Sequence, residues 1–160
     1  MQKITPFLWF DNQAEEAVRF YTSIFKDSDI TGILHYKAGE ELPEGTVKHA
    51  QFTLNGEVFM AMDGGLDHPF TFNEAISFVV NCESQKEVDY YWEKLSEGGN
   101  EKAQQCGWLK DKFGVSWQII PTVLNKLLQD KDPDKSKRVM NAVLQMKKID
   151  IEGLQKAYKG

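Results

Sequence analysis

The chain has 160 residues, of which 41% are hydrophobic and 27% charged, with a formal net charge of −5. That length suits one domain or two small fused halves, and the acidity argues against a general binder of nucleic acid or anionic membrane, which needs a basic surface. No apolar run approaches the ~20 residues of a membrane span, and MQKITPFLWFDN lacks the basic-then-apolar pattern of a secretory leader.

Residues Ile4 to Phe10 are apolar and rich in β-formers, which predicts a strand. Asp11 or Asn12 is placed to cap a helix. Ala14, Ala17, Val18, Tyr21, Ile24 and Phe25 then recur at helical spacing. A strand is expected near Ile30 to Tyr36, followed by a polar loop from Ala38 to Gly45. Val47 to Leu54 and Glu57 to Met62 flank Asn55-Gly56, a strong hairpin signal. The order then repeats. Ala75 to Asn81 is a strand. Ser84 caps a helix with Val88, Tyr91, Trp92 and Leu95 on one face, and Gly98-Gly99 ends it. Trp108 to Lys110 and Val115 to Ile120 form a last hairpin around Lys112-Phe113-Gly114.

Ala17 to Phe25 lies over Glu87 to Leu95 with an offset of 70, which also sets Phe10-Asp11 on Val80-Asn81. The hairpins match with an offset of 58, so that Phe59 meets Trp117 and Met60 meets Gln118. Each half therefore reads as a βαβββ unit, and two such units must pair to bury their sheets. Beyond Thr122 the pattern is helical: Val123, Leu124, Leu127 and Leu128 in one helix, a second opening at Asp132-Pro133 and carrying Val139, Met140, Val143 and Leu144, and a third in IEGLQKAY. Met140 and Met146 read as core packing. The expected organisation is residues 1–66, 67–121 and a helical extension 122–160, in one compact domain overall.

These segments resemble a known superfamily, the vicinal oxygen chelate proteins (glyoxalase I, bleomycin-resistance proteins, extradiol dioxygenases). AEEAVRFYTSIF, FNEAISFVVNCESQKEVDYYWEKLSEGG, CGWLKDKFGVSWQIIP and the tail DPDKSKRVMNAVLQMKKIDIEGL are most similar to the PhnB-like branch, also called the 3-demethylubiquinone-9 3-methyltransferase domain. The resemblance implies an α+β fold of two tandem βαβββ units forming a U-shaped mixed sheet around a cavity, and a homodimer. Methyl transfer itself is disfavoured. It calls for a doubly wound sheet with a Gly-rich strand-to-helix turn, and Asp63-Gly64-Gly65 runs into the loop sequence Leu66-Asp67-His68-Pro69-Phe70 instead.

Strand alternation assigns the faces of the first hairpin. Ala50, Phe52, Phe59 and Ala61 form an apolar face suited to packing under a helix. His49, Gln51, Thr53, Met60 and Met62 form a mixed face suited to a ligand. His49 is the candidate catalytic group, since histidine titrates near neutrality. In metal-dependent relatives the resemblance implies ligands on the first and last strands of each unit, which here fall on Ile4, Met60, Glu74 and Gln118. Only Glu74 is ionisable, and a tight divalent site needs three or four His, Asp, Glu or Cys groups. No cofactor is expected. Glu74 and Gln118 are the positions for a weakly held divalent metal, if there is one. Gln51, Met60, Met62, Glu74 and Gln118 are the expected cavity residues.

Asp11 reads as a helix cap, His35 as a surface residue, His68 as a loop residue, and most of Trp9, Trp92, Trp108 and Trp117 as core, one of them free to line the cavity. Cys82 and Cys106 are too few for a disulfide framework and read as reduced, mostly buried thiols. No partner base stands near Cys106 in sequence. The resulting expectation is a cytoplasmic homodimer that binds a small organic molecule and neither nucleic acid nor membrane. Two classes stay open: an enzyme using His49, Glu74 and Gln118, of the metal-dependent lyase, isomerase or dioxygenase type, or a binding module without chemistry. A partner-binding dimer acting through the tail is a third.

Overall fold

The computed structural model describes residues 2–65 and 68–160. The boundary expected at 66/67, and Leu66-Asp67 of the loop reading, lie outside the described residues; His68 to Thr71 form no helix. The chain divides into two compact units, Met1–Thr71 and Phe72–Gly160.

The first unit runs β1 (Phe7–Phe10), α1 (Ala14–Ile24), β2 (Asp29–His35), β3 (Val47–Leu54) and β4 (Glu57–Asp63). Its sheet has the order β1-β4-β3-β2, with β1 parallel to β4 and the other pairs antiparallel. The β3–β4 hairpin turns at Asn55 (φ 51°) and Gly56 (φ 83°), the left-handed pair that matches strand twist. Its register sets Phe52 against Phe59 and Gln51 against Met60, as alternation predicts. Ala14, Ala17, Val18, Tyr21 and Ile24 of α1 are buried, and so are Leu8, Phe10, Ala50, Phe52, Phe59 and Ala61 of the sheet.

Three local expectations change. Strand β1 starts at Phe7, not Ile4, because Pro6 has no N–H for the ladder. The Gln2 side chain takes over there: its amide accepts from Val58 N at 2.9 Å and donates to Val58 O at 3.0 Å. Neither Asp11 nor Asn12 caps α1. The N-cap is Gln13 without a side-chain bond. Buried Asp63 does the work instead, accepting from Ala14 N at 2.8 Å and Val47 N at 3.0 Å.

The second unit runs β5 (Phe78–Cys82), α2 (Gln85–Ser96), a short 3-10 turn (Glu101–Ala103), β6 (Trp108–Lys110) and β7 (Ser116–Pro121). Its sheet is β5-β7-β6. It has the first unit's order without the fourth strand, so among the described residues this half is βαββ rather than βαβββ. The chain between α2 and β6 makes only the turn and one bridge, Gln105 to Trp108. Ser84 caps α2, accepting from Glu87 N. Strand β5 begins at Phe78 rather than Ala75, because Asn73 Oδ1 takes Ala75 N and turns the chain first.

The β6–β7 turn explains the DKFGVSW sequence. Buried Asp111 accepts from Phe113 N (2.9 Å), Val115 N (3.0 Å) and Trp117 Nε1 (2.8 Å). Trp117 is the one tryptophan of four that is buried. Trp9 is 40% exposed, and it lies over Gly64, where a Cβ would fall within 1.3 Å of the indole nitrogen.

Three helices complete the second unit: α3 (Thr122–Leu128), α4 (Pro133–Leu144) and α5 (Ile151–Lys159). Asp132 and Asp150 cap α4 and α5 through their side chains. Leu124, Val139, Val143, Ile149 and Leu154 form a small core joined by Cys106, Ile120 and Met146. Met146 packs as expected, but Met140 is 42% exposed and Leu144 points outward as well. The linker between α4 and α5 is pinned to the strand side: Cys106 N and Gly107 N each donate at 2.8 Å, to Met146 O and Lys147 O. Gln85 adds bonds to Ile149 O and from Ile151 N.

Candidate functional site

In the first unit His49, Gln51, Thr53, Met60 and Met62 are all partly exposed, alternating with the buried helix-side residues of β3 and β4. Phe7 pairs with Met60 and Trp9 with Met62, and Leu34 pairs with His49. The His49 ring stands edge-on to Phe7 at 6.0 Å. Gln51 donates to Thr31 Oγ1 at 3.2 Å. This face is mixed but shallow, and its bulk is aromatic and thioether.

In the second unit Val79 pairs with Gln118, and Gln118 with Trp108. The Gln118 amide donates to Ser77 Oγ at 2.9 Å. Lys110 sits directly across from Ser116 on the same hairpin, and cross-strand partners share a face. Glu74 lies on the loop before β5. Its Oε1 meets Lys110 Nζ at 2.5 Å. That hydrogen bond, with one from its own backbone, holds the Glu74 carboxyl below the usual carboxylate range.

A cleft of ≈ 320 Å³ opens here, lined by Glu74, Ala103, Gln105, Cys106, Trp108, Leu109, Lys110 and Ser116. It runs along β6 beside the segment that replaces the missing edge strand. Trp108 and Ala103 give apolar wall, Lys110 and Glu74 give charge. Ser116 is 2% exposed, and its hydroxyl has no hydrogen-bond partner. A buried unpaired hydroxyl costs about 1–3 kcal/mol, so a ligand acceptor or a water placed there would be stabilised.

Of the sequence-derived residues, four share the first unit's sheet face (His49, Gln51, Met60, Met62), and Glu74 and Gln118 attach to the β6–β7 hairpin. Ile4 and Glu74 both precede their strands, so the residues across from Met60 and Gln118 are Phe7 and Val79. The first- and last-strand set is thus Phe7, Met60, Val79 and Gln118, with no ionisable donor. Glu74 already holds a cation. Among the described residues no group of three or more His, Cys, Asp or Glu is arranged to hold a metal ion. This donor set does not fit a tight divalent site.

Lys110 and Ser116 were not singled out by sequence. Alternation from the DKFG turn would have paired them. His35, as expected, is a surface residue, bonded to Glu15 Oε2 at 2.6 Å. Both cysteines are free. Burial pushes the Cys82 thiol up to about 12. Cys106 is only half-buried and has φ 54°, a conformation few non-glycine residues adopt.

Residues 2–120 match the family model described as 3-demethylubiquinone-9 3-methyltransferase. The chain belongs to that family. A PhnB protein from Bacillus cereus is 45% identical over 76% of this chain and 100% of its own, with a TM-score of 0.69. Two more distant structures show the fold: protein PA1353 from Pseudomonas aeruginosa (22% identity, 76% and 98% covered, TM-score 0.61) and the fosfomycin resistance protein FosX from Listeria monocytogenes (18%, 81% and 98%, 0.54). The fold is therefore that of the vicinal oxygen chelate superfamily. None of the curated proteins matches the chain. The family match ends before α3, so helices α3 to α5 stand outside it.

Proposed function

We propose that this PhnB-like protein binds a small organic molecule in the cleft of its second unit. The observation that carries this reading is the combination of an apolar wall with a buried, unpartnered Ser116 hydroxyl in one cleft. Ligand pockets are mostly apolar, with a few placed polar groups, and run from about 300 Å³ upward. The Gln118 amide, beside Ser77 and on the same hairpin face as Lys110 and Ser116, supplies a further polar group for a ligand that extends beyond the cleft.

The topology supports binding over methyl transfer. Each sheet has a single parallel pair, and neither strand-to-helix turn, Asp11–Gln13 or Glu83–Ser84, contains the glycines that cradle a nucleotide cofactor. The donor set supports a reading without a resident metal. The proposal includes a homodimer, supported by the exposed Phe7, Trp9 and Leu34 side chains, and a cytoplasmic setting, which suits two unpaired thiols. No helix of the described residues is long and apolar enough to cross a membrane.

The test is thermal denaturation of the full chain with a panel of small aromatic and heteroaromatic compounds. Specific binders raise the melting temperature in a saturable way. The expected result is saturable shifts that vanish in Trp108→Ala, each referred to that variant's own unliganded melting point. No saturable shift from any compound would contradict the reading.

A further inference from the structure

The cleft holds one cation in a position to change partners. Lys110 is mostly covered, with 22% side-chain exposure, whereas its partner Glu74 is 61% exposed and sits on a loop. The carboxylate can turn to solvent at little cost, but the ammonium cannot leave the sheet. Exposed ion pairs of this kind are worth little. Directly across the hairpin from Lys110, Ser116 offers a hydroxyl that nothing satisfies. Fixed cation and free hydroxyl thus lie on one face of the hairpin, beside the apolar surface of Trp108 and Ala103.

We propose that the ligand of this cleft is an aromatic carboxylate, held by Lys110 and Ser116, and that Glu74 is an internal competitor which the ligand displaces. This rests on the cleft being the binding site. The carboxylate takes a charge-assisted bond from Lys110 and one from the Ser116 hydroxyl, while its ring lies against Trp108. Glu74 then sets affinity by opposing the ligand. A metal-ligating Glu74 would do the reverse.

The experiment is calorimetric titration of the full chain with 2-naphthoate and with its neutral amide, 2-naphthamide. The acid is expected to bind at least tenfold more tightly than the amide. Lys110→Met should remove that preference while the amide binds as before. Glu74→Gln, which keeps the side chain's size and removes its charge, should tighten the acid several-fold and change amide binding far less. Ser116→Ala should weaken the acid by less than Lys110→Met does. Equal binding of acid and amide would overturn the carboxylate inference and leave the cleft standing. Weaker acid binding in Glu74→Gln would overturn the competitor role. Binding by neither compound would overturn this inference, and the compound panel above would then decide whether the cleft itself survives.

Discussion

The two units follow one plan and end differently. The first completes a four-stranded sheet, with β2 covering the edge of β3. The second stops at three strands, and the chain that would form the fourth coils into a short turn beside β6. The complete sheet leaves a broad aromatic and thioether face and no unsatisfied polar group on its strands among the described residues. The incomplete one leaves a cleft with a fixed cation and a free hydroxyl. Where the edge strand is missing a cleft opens along β6, which has three residues against the eight of its counterpart β3. The second unit also recruits α3 to α5, whose linker carbonyls bind Cys106 and Gly107 N–H groups at the cleft wall.

The comparison can be broken at its supports. Among the described residues each unit has one buried aspartate that ties its turn or helix: Asp63 accepts two backbone N–H bonds, and Asp111 accepts two plus the Trp117 indole. Asp111→Ala strands all its donors and should cost about 4 kcal/mol, given about 1–3 kcal/mol for each buried group left unpaired. Asp63→Ala should cost less, in proportion. Chemical denaturation of both variants checks the order, and equal or inverted losses would count against it. Leu154→Ala empties a fully buried position in the tail core and should cost about 3 kcal/mol. If the tail were a loose appendage, the loss would be under about 0.5 kcal/mol. Gly64→Ala pushes a methyl into the Trp9 indole and should cost about 2 kcal/mol, with a change in tryptophan fluorescence that places the strain in the first unit.

Thiol chemistry gives the smallest and cleanest contrast. Cys82 has a thiol pKa raised by burial to about 12 from an ordinary 9.0. The folded state therefore favours the neutral thiol. Its contribution to stability is full below pH 9 and is lost as pH rises from there toward 12. At pH 8 iodoacetamide should label Cys106 well before Cys82, as peptide mass spectrometry would show. Labelling of Cys82 at the same rate would mean that the β5 side of the second unit opens readily.

Much of this was legible in the sequence. The buried face of α1 and the Asn55-Gly56 register follow from helical period and alternation, both local rules. The tail helices were readable for the same reason, and Asp132-Pro133 announces the start of α4. What sequence missed depends on distance. The offset of 70 that aligns the helices does not hold for the first strands. Eight positions separate Phe10 from Val18 but six separate Cys82 from Val88, so the strand-to-helix turn is shorter in the second unit. Counting back seven from Asp11 and Asn81 overshot to Ile4 and Glu74, three and five positions before Phe7 and Val79, and the shorter turn accounts for the two-position difference. The missing fourth strand was hidden because nothing in Gly99 to Gln105 forbids one. Ser116 carried no motif at all, and its importance lies in the absence of a partner, which only packing reveals.

The central claim is that the second unit's cleft, and not the first unit's open face, receives the ligand. Amide and indole chemical shifts of the isotope-labelled full chain, followed through a titration with 2-naphthoate, test it most directly. The account predicts saturable changes at Trp108, Lys110 and Ser116, including the Trp108 indole. Changes confined to Phe7, Trp9, His49, Gln51, Met60 and Met62 would contradict it.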